Sequence, residues 1–151
     1  MKYSIQEIVE QAIQTEKLGY EFYTTLAEKF RDDGKLCGLF ELLAGQELKH
    51  EQVFIGLKGQ ISTKSLVDWD EASHYLRAIV ESEFFLGSKK ALPSLQNIKT
   101  GNDALRHAMF FEKETLLYFY SMRDLVIEWK VVDEIINEEK SHIKQISQMM
   151  R

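Results

Sequence analysis

Two stretches of the sequence set a carboxylate and an imidazole three residues apart, Glu47-Leu48-Lys49-His50 and Glu139-Lys140-Ser141-His142. Each is preceded, about one helix earlier, by a lone glutamate, Glu16 and Glu112. On an α-helix a three-residue spacing means about 60° around the axis and roughly 4.5 Å along it, so each Glu and its His project together. All six residues stand where the hydrophobic pattern calls for apolar side chains. Four carboxylates gathered in a core repel one another, and burial costs several kcal/mol per ion. No Lys or Arg lies on the same stripes to neutralise them. Two divalent cations balance four carboxylates with both histidines neutral, which makes Glu47 and His50 metal ligands. Carboxylates and imidazoles without a thiolate suit iron or manganese better than structural zinc or copper.

The elements that must position these residues are helices. One stripe steps by four and three residues through Ile5, Val9, Ala12, Glu16, Gly19, Tyr23, Leu26 and Phe30. A turn and N-cap are expected at Asp32-Asp33-Gly34. The second stripe is Leu36, Phe40, Leu43, Glu47, His50, Phe54 and Leu57. The third, after an expected cap at Asn102 or Asp103, is Leu105, Ala108, Glu112, Thr115, Phe119, Met122 and Val126. The fourth is Val132, Ile135, Glu139, His142, Ile146 and Met149. Alternating steps of this kind are those of helices packed in a bundle. Little in the chain alternates with period two, so the expected class is all-α.

Some 40 residues separate the second and third helices. They hold a shorter amphipathic stretch, about Trp69 to Phe85, and the single proline, Pro93. A connection of that length can cross the bundle, giving a ferritin-like arrangement of two antiparallel pairs with a short extra helix in the crossover. The halves also repeat: "AIQTEK" resembles "AMFFEK", and "QELKHE" resembles "EEKSHI". The chain therefore reads as two similar helical hairpins in a single domain, residues 1–151. At roughly 1.5 Å per residue, Glu16 lies about 24 Å before the first turn and Glu47 about 20 Å after it, so the two sit at nearly one level.

Composition narrows the function classes. A net charge of -5 leaves no basic surplus for nucleic acid. The single cysteine, Cys37, excludes an intramolecular disulfide and any cysteine-ligated iron or zinc centre built from these residues alone. Charged residues interrupt every apolar run short of a membrane span. The first residues, "MKYSIQEIVEQ", lack the apolar core of a signal peptide. A soluble, cytoplasmic protein is expected. No nucleotide-binding glycine loop is present.

The segments "EKLGYEFYTTLAEKF", "AGQELKHEQVF", "HAMFFEKETLLYFY" and "EEKSHI" resemble the ferritin-like domain of the rubrerythrins, over about Ile5 to Met149. The resemblance implies a di-iron site with Glu16, Glu47, His50, Glu112, Glu139 and His142 as ligands, manganese or zinc being possible substitutes. It implies an oxidoreductase acting on hydrogen peroxide or dioxygen, and a homodimer. Two features depart from the family. Rubrerythrins proper carry a rubredoxin-like module with four iron-binding cysteines; here the sequence stops at Arg151, so an external electron-donor protein is expected. They also have an extra glutamate one turn from the third-helix ligand, where this chain has Met109 and Thr115. The rival expectation is a non-catalytic, ferritin-like iron-binding or storage protein.

Tyr20 and Tyr23 follow Glu16 by one and two turns, and either hydroxyl could orient a ligating carboxylate. His74 and His107 lie off the stripes and are expected to be surface or structural residues. Glu114 and Glu138 sit beside stripe positions and are expected to be solvated. Cys37 is expected to pack rather than react.

Overall fold

The computed structural model describes residues 4–61, 71, 74–76, 78 and 97–150. Its four long helices are α1 (Ile5–Lys29), α2 (Gly34–Leu57), α3 (Gly101–Leu125) and α4 (Trp129–Met149). Among the described residues there is no β-strand, and no helix is long and apolar enough to cross a membrane. The fold is an all-α four-helix bundle.

Local sequence sets the helix starts. Ser4 caps α1 in a reciprocal box with Glu7, which meets two of the amide groups a helix start leaves without partners. Asp33 accepts from Leu36 N at 3.1 Å and starts α2 where the Asp-Asp-Gly turn predicts. Helix α3 begins earlier than expected. Its cap is Thr100, and Asp103, one of the two expected caps, is instead the third residue of the box, bonding back to the Thr100 amide. The α3–α4 turn has neither Gly nor Pro, and Glu128 makes no side-chain cap. An ion pair across it, Arg123 to Asp133 at 2.9 Å, ties the two helices together.

The helices pack chiefly as two hairpins, α1 on α2 and α3 on α4; facing contacts of α2 with α4 and α1 with α3 close the bundle. Between the hairpins, Glu71, His74–Leu76 and Ala78 are helical, within the stretch where a short helix is expected. Leu76 is fully buried in the core cluster around Ile8. The rest of that stretch, and the segment around Pro93, lie outside the described residues.

Every interior member of the four predicted stripes is buried, and only Ile5, Phe30, Leu57 and Met149 at the ends are half-exposed. The core is divided. One apolar cluster gathers Ile8, Phe54, Phe119, Met122 and Val132; the other gathers Tyr23, Phe40, Leu43, Leu105 and Ile146. Side chains such as these contribute about 1.5–3 kcal/mol each when fully buried. They offset the cost of what lies between them, a buried layer of carboxylates and imidazoles.

Candidate metal centre

That layer is the six-residue set. Glu16, Glu47, Glu112 and Glu139 are 0% exposed, His50 2% and His142 3%. Each helix supplies its share by the periodicity that builds the bundle: Glu16 from α1, Glu47 and His50 from α2, Glu112 from α3, Glu139 and His142 from α4. The sequence could not say which ring nitrogen faces inward. The structure turns Nδ1 inward on both. His50 Nδ1 lies 3.0 Å from Glu139 Oε1 and 3.6 Å from Glu16 Oε2. His142 Nδ1 lies 3.4 Å from Glu139 Oε2 and 3.6 Å from Glu112 Oε1. The two rings stack with centroids 6.0 Å apart.

The ligand atoms form two overlapping groups. One is Glu16, Glu47, His50 and Glu139; the other is Glu47, Glu112, Glu139 and His142; within each, the candidate atoms all lie within 4.8 Å of one another. Glu47 and Glu139 belong to both, so two carboxylates would be common to two adjacent cation positions. Both oxygens of Glu16, Glu47 and Glu139, Glu112 Oε2 and the Nδ1 atoms of both histidines are buried without a hydrogen-bond partner. Buried polar groups are nearly always satisfied. Nine orphaned atoms converging on one point fit a pair of divalent cations.

Protons are the alternative occupants. Burial, then the charges of its neighbours, pushes Glu16 and Glu47 well above the ordinary carboxyl range. Burial and Glu139 raise Glu112 to about 8. Burial pulls the imidazoles down, but the carboxylates outweigh it. Glu139 leads in holding His50 up at about 9, and Glu112 with Glu139 holds His142 at about 10. Burial opposes ionisation of Glu139, yet its close neighbours Glu112, His142 and His50 keep its carboxyl well below the usual range. The metal-free centre therefore carries an internal counter-charge, two imidazoliums around Glu139, which a search for Lys and Arg alone overlooks.

Tyr23 donates a 2.7 Å hydrogen bond to Glu112 Oε1, buried at the boundary of the layer. Burial and the charge of Glu112 hold its hydroxyl well above the ordinary phenol range, so it stays a donor. Tyr20 is not brought to the cluster. It is 36% exposed and lines an outer groove with Thr24, Glu28 and Cys37. The reason is rotational: seven residues from Glu16 leave Tyr23 about 20° off its line, whereas four leave Tyr20 about 40° off on the other side, facing outward.

The residues set aside are placed as follows. His74 is exposed and His107 and Glu114 are half-buried, none of them in the cluster. Cys37 Sγ contacts Glu41 Oε1 at 3.3 Å, which raises the thiol and disfavours the reactive thiolate. Glu138 is solvated as expected, its side chain 52% exposed, and it also contacts His50 Nε2. Two residues were not foreseen. Glu51, one past His50, is a buried carboxylate whose charge helps raise Glu16. Gly19, read only as a stripe member, packs directly against Glu47. A groove of about 250 Å³ between α2 and α4 reaches the cluster at His142, with Gln46, Lys49, Glu138, Ser141 and Gln145 around it.

Comparison with known proteins agrees with the geometry. No curated protein matches the chain. A crystal structure from Thermotoga maritima, described as that of a ferritin-like diiron-carboxylate protein, superposes with a TM-score of 0.69. It covers 99% of this chain and 96% of that one at 26% sequence identity. The rubrerythrin profile matches residues 7–150, nearly the whole sequence, with the Glu-x-x-His of each hairpin inside it, and the chain belongs to the rubrerythrin family.

Proposed function

We propose that the protein is a di-iron oxidoreductase that reduces hydrogen peroxide, or dioxygen, at the Glu/His centre, as a homodimer supplied with electrons by a separate protein. The observation that carries this reading is the pair of overlapping four-residue groups sharing Glu47 and Glu139. Four carboxylates and two imidazoles match iron or manganese in charge and ligand preference. A bound ferrous pair supplies two electrons and a Lewis-acidic seat for an oxygen substrate.

The chain does the rest. Glu47 and Glu139, members of both four-residue groups, would be shared by the two positions when metal is bound. Glu16 with His50, and Glu112 with His142, would complete one position each. Tyr23 fixes the rotation of Glu112 by its hydrogen bond. The two apolar clusters above and below the layer exclude bulk water, so charge at the centre is neutralised by ligands rather than by solvent. Peroxide reduction consumes two electrons and two protons and yields two waters. The 151 residues contain one cysteine, too few for a four-cysteine iron site, so re-reduction is assigned to a donor outside these residues.

Stopped-flow absorbance of anaerobically iron-loaded, reduced protein tests the reading. One equivalent of peroxide per site should oxidise it in a single fast phase. Sustained turnover should need an added iron–sulfur or flavin donor. Oxidation no faster than that of free ferrous ion in the same buffer would remove the peroxidase reading and favour iron binding or storage.

A further inference from the structure

His50 is held on both edges of its ring. Nδ1 faces Glu139 and Glu16 in the centre, while the outer nitrogen, Nε2, meets the carboxylate of Glu138. Glu138 and Glu139 are neighbours on α4, and successive helical residues point about 100° apart. One carboxylate therefore enters the core. The other crosses the seam to α2 and reaches the back of the ring.

The other hairpin does not repeat this arrangement. Among the described residues, His142 has carboxylates at Nδ1 only, and its ring forms part of the wall of the α2–α4 groove. The residue preceding Glu47, which corresponds to Glu138 in the internal repeat, is Gln46, an amide with no charge.

An imidazole that ligates through Nδ1 carries its proton on Nε2. A carboxylate accepting that proton fixes the tautomer and the ring plane, and makes Nδ1 a stronger donor. We propose that Glu138 is a positioning residue that selects the Nε2–H tautomer of His50, so that the Glu16/His50 position binds a divalent cation more tightly than the Glu112/His142 position. The inference rests on the metal-centre reading above. It adds an asymmetry that the near-symmetric ligand set does not contain. Glu138 is half-exposed and makes no contribution to either apolar cluster, so its replacement leaves the scaffold intact.

Zinc, which is redox-inert and diamagnetic, is the probe. Stepwise zinc affinities of the metal-free wild type, Glu138→Ala, Glu138→Gln and the control Glu134→Ala are measured by competition with a chromophoric chelator. The histidine tautomers of each zinc-loaded protein are read by long-range proton–nitrogen NMR. Wild type should bind in two distinguishable steps, with the His50 proton on Nε2. Glu138→Ala should weaken the tighter step by about 10–100-fold, leave the weaker step unchanged and lose the hydrogen-bonded Nε2–H signal. Glu138→Gln, whose amide oxygen still accepts, should recover part of both, and Glu134→Ala should match wild type. Two unchanged binding steps in Glu138→Ala, or a wild-type His50 protonated on Nδ1 when zinc is bound, would overturn the proposal. A wild type that takes up no zinc, iron or manganese would overturn the metal-centre reading itself, a distinct result.

Discussion

Gly19 of α1 lies against the Glu47 carboxylate with no room for a side chain. A Cβ at position 19 would stand 2.9 Å from Glu47 Oε2 and 2.8 Å from Phe111 Cζ. A mid-helix glycine costs roughly 0.5–1 kcal/mol relative to alanine, so its presence here tracks the need for Glu47 to press against the helix backbone. Gly19→Ala should leave helix content unchanged and lower metal occupancy, because the methyl displaces a carboxylate shared by both positions. Metal-to-protein ratio by elemental analysis, beside circular dichroism, checks this. Full occupancy in the variant would show that Glu47 tolerates displacement.

The shared and unshared glutamates should behave differently when replaced. Glu47→Ala and Glu139→Ala each remove a member of both four-residue groups, so both metals should be lost. Glu16→Ala and Glu112→Ala each touch one group and should leave about half the metal. The metal-free forms diverge as well. Glu139 is the counter-ion of two buried imidazoliums, and its loss should destabilise the metal-free bundle by ~3 kcal/mol or more; Glu47, held protonated by burial, should cost less. Denaturant titration of the metal-free variants reads this order, and the reverse order would contradict the charge assignment.

Removing one hydroxyl should separate the tyrosines. Tyr23→Phe leaves Glu112 Oε1 without its donor, and an unsatisfied buried acceptor costs about 1–3 kcal/mol. Metal affinity should fall at the Glu112/His142 position. Tyr20→Phe, on the outer groove, should change neither quantity. Thermal unfolding and metal titration of the pair decide it, and equal effects would contradict the placement.

Metal uptake should release protons, and the metal-free protein should lose stability as pH rises. Glu112 titrates near 8, His50 near 9 and His142 near 10 in the folded state, all above their ordinary values. A raised folded-state pKa means the folded form holds protons that the unfolded form has already lost. Its stabilisation is complete below the unfolded value and is lost as pH rises through the folded one. The metal-free protein should therefore weaken between about pH 4.5 and 8 through Glu112 and between about 6.5 and 10 through the histidines. Glu139 has the opposite sign: its contribution is complete above about pH 4.5 and is lost progressively as pH falls below it. Loading two cations at pH 7 should expel these protons, seen as acidification of weakly buffered solution and as tighter binding at higher pH. Metal binding without proton release would contradict the protonated cluster.

The six buried Glu and His residues of the cluster were legible in the sequence because each interrupts an otherwise apolar stripe, and a stripe's period survives whatever the loops do. Thr100 was not legible as a cap, since Asn102 and Asp103 carry the same signal two and three residues on. The angular offsets of Tyr23 and Tyr20 from Glu16 were legible, but the partner of Tyr23, Glu112 on α3, was not, because it depends on how two helices pack. Glu138 escaped because it lies off the stripe, and its contact depends on reach across a seam between helices. Gly19 escaped for a different reason: its role is a space, and one sequence cannot show which missing side chain leaves a needed space.

The sharing of Glu47 and Glu139 has a historical consequence. Glu47 comes from the first hairpin and Glu139 from the second, so neither hairpin alone can furnish the four ligands of either position. A half-length chain of this pattern would have to pair with a copy of itself to hold any metal, and that pair would present the same six groups. Duplication and fusion of such a half converts an assembly that dissociates on dilution into one that cannot. Two fused halves need not stay identical, and here Gln46 and Glu138 differ at corresponding positions.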